Sequence, residues 1–197
     1  MSMRIRLTKT LLDAWLWVFK KDDGWDDFLR TLTREKTPPT EAMLNGTQFE
    51  NLVNAVLNGE HLDPDHEWYK GVMQMATYVY GSQQQVNLFR DITVDGQDYL
   101  MHGVLDYLRN GVVYDCKFTK KYHLNKYLET TQTPVYLWLT PEARRMEYVV
   151  SDGEYLYTEK YPREIVQPLE PIIRNFIDFC KVHSVYDILQ EKWRVNE

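Results

Sequence analysis

Apolar and polar positions divide the chain into a helical opening, a strand-rich middle and a helical close. Leu11, Leu12, Trp15 and Val18/Phe19 recur at helical spacing behind Thr8 or Thr10, either of which suits a helix cap. WDDFLRTLTRE after Gly24 reads as a second, shorter helix, so residues 1–36 are expected to form an N-terminal helical extension. Thr37-Pro38-Pro39-Thr40 breaks the chain. Beyond it, EAMLNGTQFENLVNAVLNG carries an apolar stripe of Phe49, Leu52, Val53 and Val56, with Glu50 beside it and Gly59 near its end. WYKGVMQMATYVYGS gives another helix that stops at Gly81. A period of two then takes over. QQVNLFRDITV, Tyr99 to Leu108 and Gly111 to Phe118 are joined by Asp95-Gly96 and Asn110-Gly111, both strong signals for two-residue hairpin turns. These three strands predict an antiparallel meander. Asn125 to Leu139 is expected as a helix in which Pro134 makes a kink or marks the first turn. Met146–Ser151 and Tyr155–Tyr161 form a further hairpin about Asp152-Gly153. Helices at 168–183 and 185–193 close the chain, with Ile172, Ile173, Phe176, Ile177 and Phe179 as core.

The Asn110-Gly111 turn fixes a register. Arg109 faces Val112, Leu108 faces Val113, Tyr107 faces Tyr114, Asp106 faces Asp115 and Val104 faces Lys117. Two carboxylates thus oppose each other with Cβ atoms roughly 4.5–5.5 Å apart, a destabilising arrangement for like charges. Their neighbours on that face, Leu108, Val113 and Val104, are apolar. Facing acids in an apolar setting need a cation, a shared proton or a strong partner. Lys117 offers one positive charge for two negatives, and a divalent ion would resolve the balance. The plainer alternative is an exposed hairpin with scattered charges.

Composition narrows the picture. With 197 residues, 44% hydrophobic and 14% aromatic, the chain has enough apolar material for a folded domain. A net charge of −6 argues against broad coating of nucleic acid and leaves room for a local basic patch. Lys120, Lys121 and Lys126, interleaved with Tyr122 and Tyr127, form the densest such stretch, suited to backbone phosphates and base stacking. Cys116 and Cys180 are too few for a disulfide framework or a four-cysteine cluster, which points to a reducing cytoplasm. No signal peptide is apparent in MSMRIRLTKTLLDAW, and no membrane partner is expected, since no run of about 18 apolar residues exists. His61, Asp63, Asp65 and His66 lack a second cluster at ligand spacing and are expected as a loop rather than a metal site.

The order of a helix with Glu50, a hairpin with Gly103-Val104-Leu105-Asp106 and Asp115-Cys116-Lys117, and a helix with Gln132-Thr133-Pro134-Val135-Tyr136 resembles the PD-(D/E)XK nuclease superfamily, in particular its RecB-like exonuclease branch of the phage or prophage type. The matching part covers about residues 45–140. The resemblance implies an α/β, α+β-like fold with a restriction-endonuclease-like core: a mixed central sheet begun by the meander and flanked by helices, forming one domain over residues 37–197. It implies Mg²⁺ or Mn²⁺ held by Glu50, Asp106, Asp115 and the Cys116 carbonyl, with Lys117, Gln132 and Tyr136 completing the catalytic set. Lys120, Lys121 and Lys126 would contact substrate phosphates. The implied activity is that of a DNA exonuclease leaving 5′-phosphates, in phage recombination or DNA repair. Its partners would be DNA and either a second copy or a single-strand-annealing protein. The branch often has a His on the first helix where this chain offers Glu50, and its iron–sulfur relatives need four cysteines, so no cluster is expected. The rival reading is a catalytically inactive nuclease-like module that binds nucleic acid or a protein.

Overall fold

Two tight turns organise the centre of the molecule. Asp95 and Gly96 (φ 51° and 78°) and Asn110 and Gly111 (φ 50° and 73°) are left-handed at both central positions. That backbone matches the twist of the strands it joins. In the computed structural model, which describes residues 4–195, the chain is a mixed α/β fold. Its elements are β1 (Ile5–Thr8), α1 (Lys9–Trp17), α2 (Gly24–Leu32), α3 (Glu41–Leu57), α4 (Tyr69–Val79), β2 (Gln83–Val94), β3 (Gln97–Arg109), β4 (Val112–Phe118), α5 (Gln132–Leu139), β5 (Arg145–Ser151), β6 (Leu156–Pro162), α6 (Leu169–Val182) and α7 (Tyr186–Lys192). The six strands described here form one mixed sheet.

β2, β3 and β4 are the expected antiparallel meander, β5 adds parallel to β4, and β6 closes antiparallel. β2 takes one edge of β3 along most of its length, so β1 and β4 must share the other. β1 pairs in parallel with Tyr99–His102, and β4 pairs with Tyr107–Arg109. Among the described residues, 103–106 are left between them without a ladder partner on that edge. One core joins α1, α5 and α6 to Leu105, Val113, Met146, Tyr148 and Val150. A second joins α3 and α4 to Tyr107, Tyr114, Cys116 and Val149. Side chains alternate between the two faces along β4 and β5, as a strand requires. Leu105 and Tyr107 are two residues apart yet lie in different cores, so β3 turns over at Asp106. Opposite Asp106, Gln85 of β2 is itself left-handed at φ 49°.

Three expectations change. The segment 1–36 is not a purely helical extension: residues 1–3 lie outside the described residues, β1 completes the sheet, and Leu7, Leu11, Leu12, Phe28 and Leu32 are fully buried in the main core. The helix expected from Asn125 begins at Gln132, because Pro134 has no N–H to continue an earlier helix and fits only its first turn. The β3–β4 ladder keeps the expected register from Arg109–Val112 to Tyr107–Tyr114 but ends there. Asp106 and Asp115, and Val104 and Lys117, are therefore not ladder partners.

Candidate active site

Where the ladder ends, the Asp106 side chain fills the opening: its Oδ2 accepts the Cys116 N–H at 2.9 Å. Asp115 is 1% exposed. Its Oδ1 accepts from Gln132 Nε2, and its Oδ2 lies 2.6 Å from Lys117 Nζ. The two oxygens of Asp115 are thus held by different partners, Gln132 on Oδ1 and the Lys117 ammonium on Oδ2. Burial, and then the charge of Asp115, hold the Asp106 carboxyl well above the usual range, against the pull of Lys117 and the Cys116 N–H. Burial opposes the charge of Lys117, but Asp115 and Asp106 beside it outweigh that and raise its pKa. Lys117 is thus a held cation.

Glu50 enters from the other side of the sheet. Thr40 caps α3 by accepting the Met43 N–H at 3.3 Å, and Phe49 stacks on Phe118 with centroids 4.8 Å apart. One turn after Glu50, Asn54 accepts the Tyr107 hydroxyl at 2.6 Å and ties α3 to β3. Glu50 accepts from Gln85 Nε2 at 2.7 Å. Burial raises its pKa, and it feels the charges of both Lys117 and Asp115. Three carboxylates therefore share one ammonium.

α5 supplies Gln132 and Tyr136. Its start is held by a residue that sequence reasoning missed: Asp13 of α1 accepts both the N–H and the hydroxyl of Thr131, at 2.7 and 2.8 Å. Nothing local in α1 announces this, since the partners are 118 residues apart. Tyr136 is buried, and burial followed by Asp115 and Asp106 raises its hydroxyl pKa. Gly103 lets α5 lie this close. A Cβ there would meet Leu139 Cδ1 at 2.7 Å and Tyr136 Cε1 at 3.1 Å.

The structure brings Glu50, Asp106, Asp115, Lys117, Gln132 and Tyr136 into one electrostatically connected cluster. Lys120, Lys121 and Lys126 stand apart from it, lining a cleft of about 590 Å³ with Phe118 and the first turn of α3. Lys120 pairs with Glu41 at 3.2 Å. The four residues of the His61–His66 loop do not gather. Asp63 accepts the Asp65 N–H, and His66 Nδ1 accepts the Trp68 N–H, both at 3.0 Å.

Among the described residues, no three Asp, Glu, His or Cys side chains close into a metal cage by themselves. The donors that do converge are carboxylates, which suit Mg²⁺ or Mn²⁺ completed by backbone carbonyl, water and phosphate. The Cys116 thiol lies in the second core and is pushed up by burial, so only its backbone can serve such an ion. Three carboxylates facing one ammonium leave an excess of buried negative charge that a divalent cation would offset.

No protein-family model matches the chain, and no curated protein does. Among solved structures, the fold is similar to that in the crystal structure of SSO0001, with a TM-score of 0.56 and 19% identity over 92% of this chain and 78% of that one. No helix among the described residues is long and apolar enough to cross a membrane.

Proposed function

We propose that this chain is a Mg²⁺- or Mn²⁺-dependent DNA nuclease of the PD-(D/E)XK kind, an exonuclease of the RecB-like branch that leaves 5′-phosphates in phage recombination or DNA repair. The observation that carries the reading is the gathering of three carboxylates, Glu50, Asp106 and the 1%-exposed Asp115, about the single Lys117 ammonium. Asp106, Asp115, Glu50 and the Cys116 carbonyl would hold the ion. When bound, it would acidify a water and polarise the scissile phosphate.

The chain's own groups do the rest. In hydrolysis, a water oxygen forms a bond to phosphorus as the bond from phosphorus to the 3′-oxygen breaks; the proton released by the water passes to solvent, and the leaving oxygen takes one from solvent. Lys117 keeps its proton because two carboxylates stabilise its charge, so it serves as a donor to the attacking water and to the phosphate oxygens that gain charge, not as a base. Gln132 fixes the Asp115 rotamer through Oδ1 and so aims Oδ2 at the Lys117 ammonium and the acidic cluster. Tyr136 closes the cluster on the α5 side and excludes water. Lys120, Lys121 and Lys126 would take phosphates further along the strand.

With Mg²⁺, the protein is expected to degrade end-labelled linear DNA and to leave closed circles intact. Lys117→Ala should slow cleavage by about 100-fold or more, the cost of losing one stabilising donor, with the circular dichroism spectrum unchanged. Cleavage by Lys117→Ala at the parent rate, or none by the parent with either metal, would overturn the assignment.

A further inference from the structure

β3 carries an aromatic patch on its open face, some way back from Asp106. Phe89 of β2 and His102 of β3 are cross-strand partners whose rings stack with centroids 4.3 Å apart and planes 9° from parallel. Asn87 fixes the imidazole edge, with Oδ1 2.8 Å from Nε2. Burial, and then Arg6, hold the His102 pKa below its ordinary value, so at neutral pH the stack presents an uncharged ring. The Arg6 guanidinium stands 5.8 Å from the Phe89 ring centre, and its Nε is buried without a hydrogen-bond partner.

Among the described residues, no helix packs over this patch. α3 and α4 pack against β4, β5 and β6, while α1, α5 and α6 belong to the core on the opposite face. Phe89 is left 50% exposed, and Val104, between the patch and Asp106, 37%. The Phe89 ring adds little to the core, yet it is stacked on His102 and stands beside a cation. Proteins that hold unpaired strands combine these two elements, an aromatic face for the base and positive charge for the backbone. A protein partner would need a larger apolar area than one ring and one valine.

The geometry points to a stacking subsite in which Phe89, backed by His102, takes an unpaired base while Arg6 faces the backbone of the same strand. His102 precedes Asp106 by four residues, roughly 13 Å of β-strand at about 3.3 Å each, so the base would lie a few nucleotides from the phosphate at the acidic cluster. The location of that phosphate rests on the nuclease reading, whereas the stacking itself does not. Inside a duplex the base faces are already stacked on their neighbours, so the subsite favours single-stranded or frayed DNA.

The test is fluorescence anisotropy of labelled oligothymidine on the full chain, with Ca²⁺ replacing Mg²⁺ to hold back cleavage. Phe89→Ala is expected to weaken binding roughly 5- to 150-fold, the range for one base–aromatic stack, and Phe89→Trp to restore it. Duplex affinity should stay within about 2-fold of the parent, since the ring has no paired base to stack on. An abasic position walked along the oligonucleotide should cost affinity at one place in the parent and at none in Phe89→Ala. The urea midpoint of each variant checks the fold. Equal single-strand affinity of parent and Phe89→Ala, or no binding by the parent, overturns the subsite. So does a dimer that is lost in Phe89→Ala at unchanged DNA affinity, which would give the patch to a second copy. A parent that binds through Phe89 but never cleaves with Mg²⁺ or Mn²⁺ would sink the nuclease reading alone.

Discussion

A carboxylate is tolerated in a protein interior when opposite charge or several donors face it. Asp106 has one backbone N–H and a share of Lys117, against the like charges of Asp115 and Glu50. Asp106→Asn keeps an acceptor for the Cys116 N–H and removes the charge. In metal-free buffer it should melt above the parent by roughly 2–4 °C, the shift that about 1 kcal/mol gives in a chain of this size. Mn²⁺ should then raise the melting temperature of the parent and leave Asp106→Asn nearly unmoved, because only the parent gains by binding. Scanning calorimetry with and without metal reads both effects. At this scale the sequence was informative. Asp115-Cys116-Lys117 and the turn dipeptide are local features, and local geometry carried them to the right strand. The contact from the Cys116 N–H to Asp106 was not legible, because it depends on how β1 and β4 divide one edge of β3.

Elements were read less evenly. The helices with long apolar stripes and the strands flanking left-handed turns were plain from their periodicity. β1 was hidden because four residues with Ile5 and Leu7 as the only apolar positions make too short an alternation to stand out from a basic leader. The start of α5 depended on the missing amide of Pro134 and on Asp13, a partner far away in the chain. The placement of α5 gives a direct prediction. Gly103→Ala puts a methyl group against Leu139 and Tyr136. It should cost about 1–3 kcal/mol in urea unfolding and reduce cleavage more than it weakens DNA binding, since α5 carries Gln132.

The basic segment after β4 has its own anchor. Glu159 is 5% exposed and accepts from Tyr122 at 3.0 Å, the Asn125 N–H at 3.1 Å and Tyr161 at 2.5 Å. Burial, and then Glu159, push the Tyr122 hydroxyl up to about 12. A folded-state pKa above the ordinary value near 10 means that the native state holds this proton longer than the unfolded chain does. The stability contributed by this clamp is complete below about pH 10 and is lost as pH climbs through about 12. Tyr122→Phe should therefore show a shallower fall in the urea midpoint across that window than the parent.

At the scale of the whole molecule, a six-stranded mixed sheet places two cores on opposite faces and leaves the acidic cluster where β3 changes sides between them. α3 approaches from one core and α5 from the other, so Glu50 and Gln132 reach a common centre through a break in the sheet. The N-terminal segment is integral to this plan, since β1 occupies the stretch of β3 edge that β4 leaves. The likeness to SSO0001 extends over 92% of the chain and concerns the fold alone.

On the proposed function, the carboxylates at this break gather a divalent cation beside Lys117. Calorimetric titration with Mn²⁺ addresses it most directly, using the parent, Asp115→Asn and Lys117→Ala. Saturable binding by the parent and by Lys117→Ala, with loss of at least about 10-fold in affinity, or about 1.4 kcal/mol, in Asp115→Asn, is the predicted result. No heat from the parent, or equal affinity in Asp115→Asn, would contradict it.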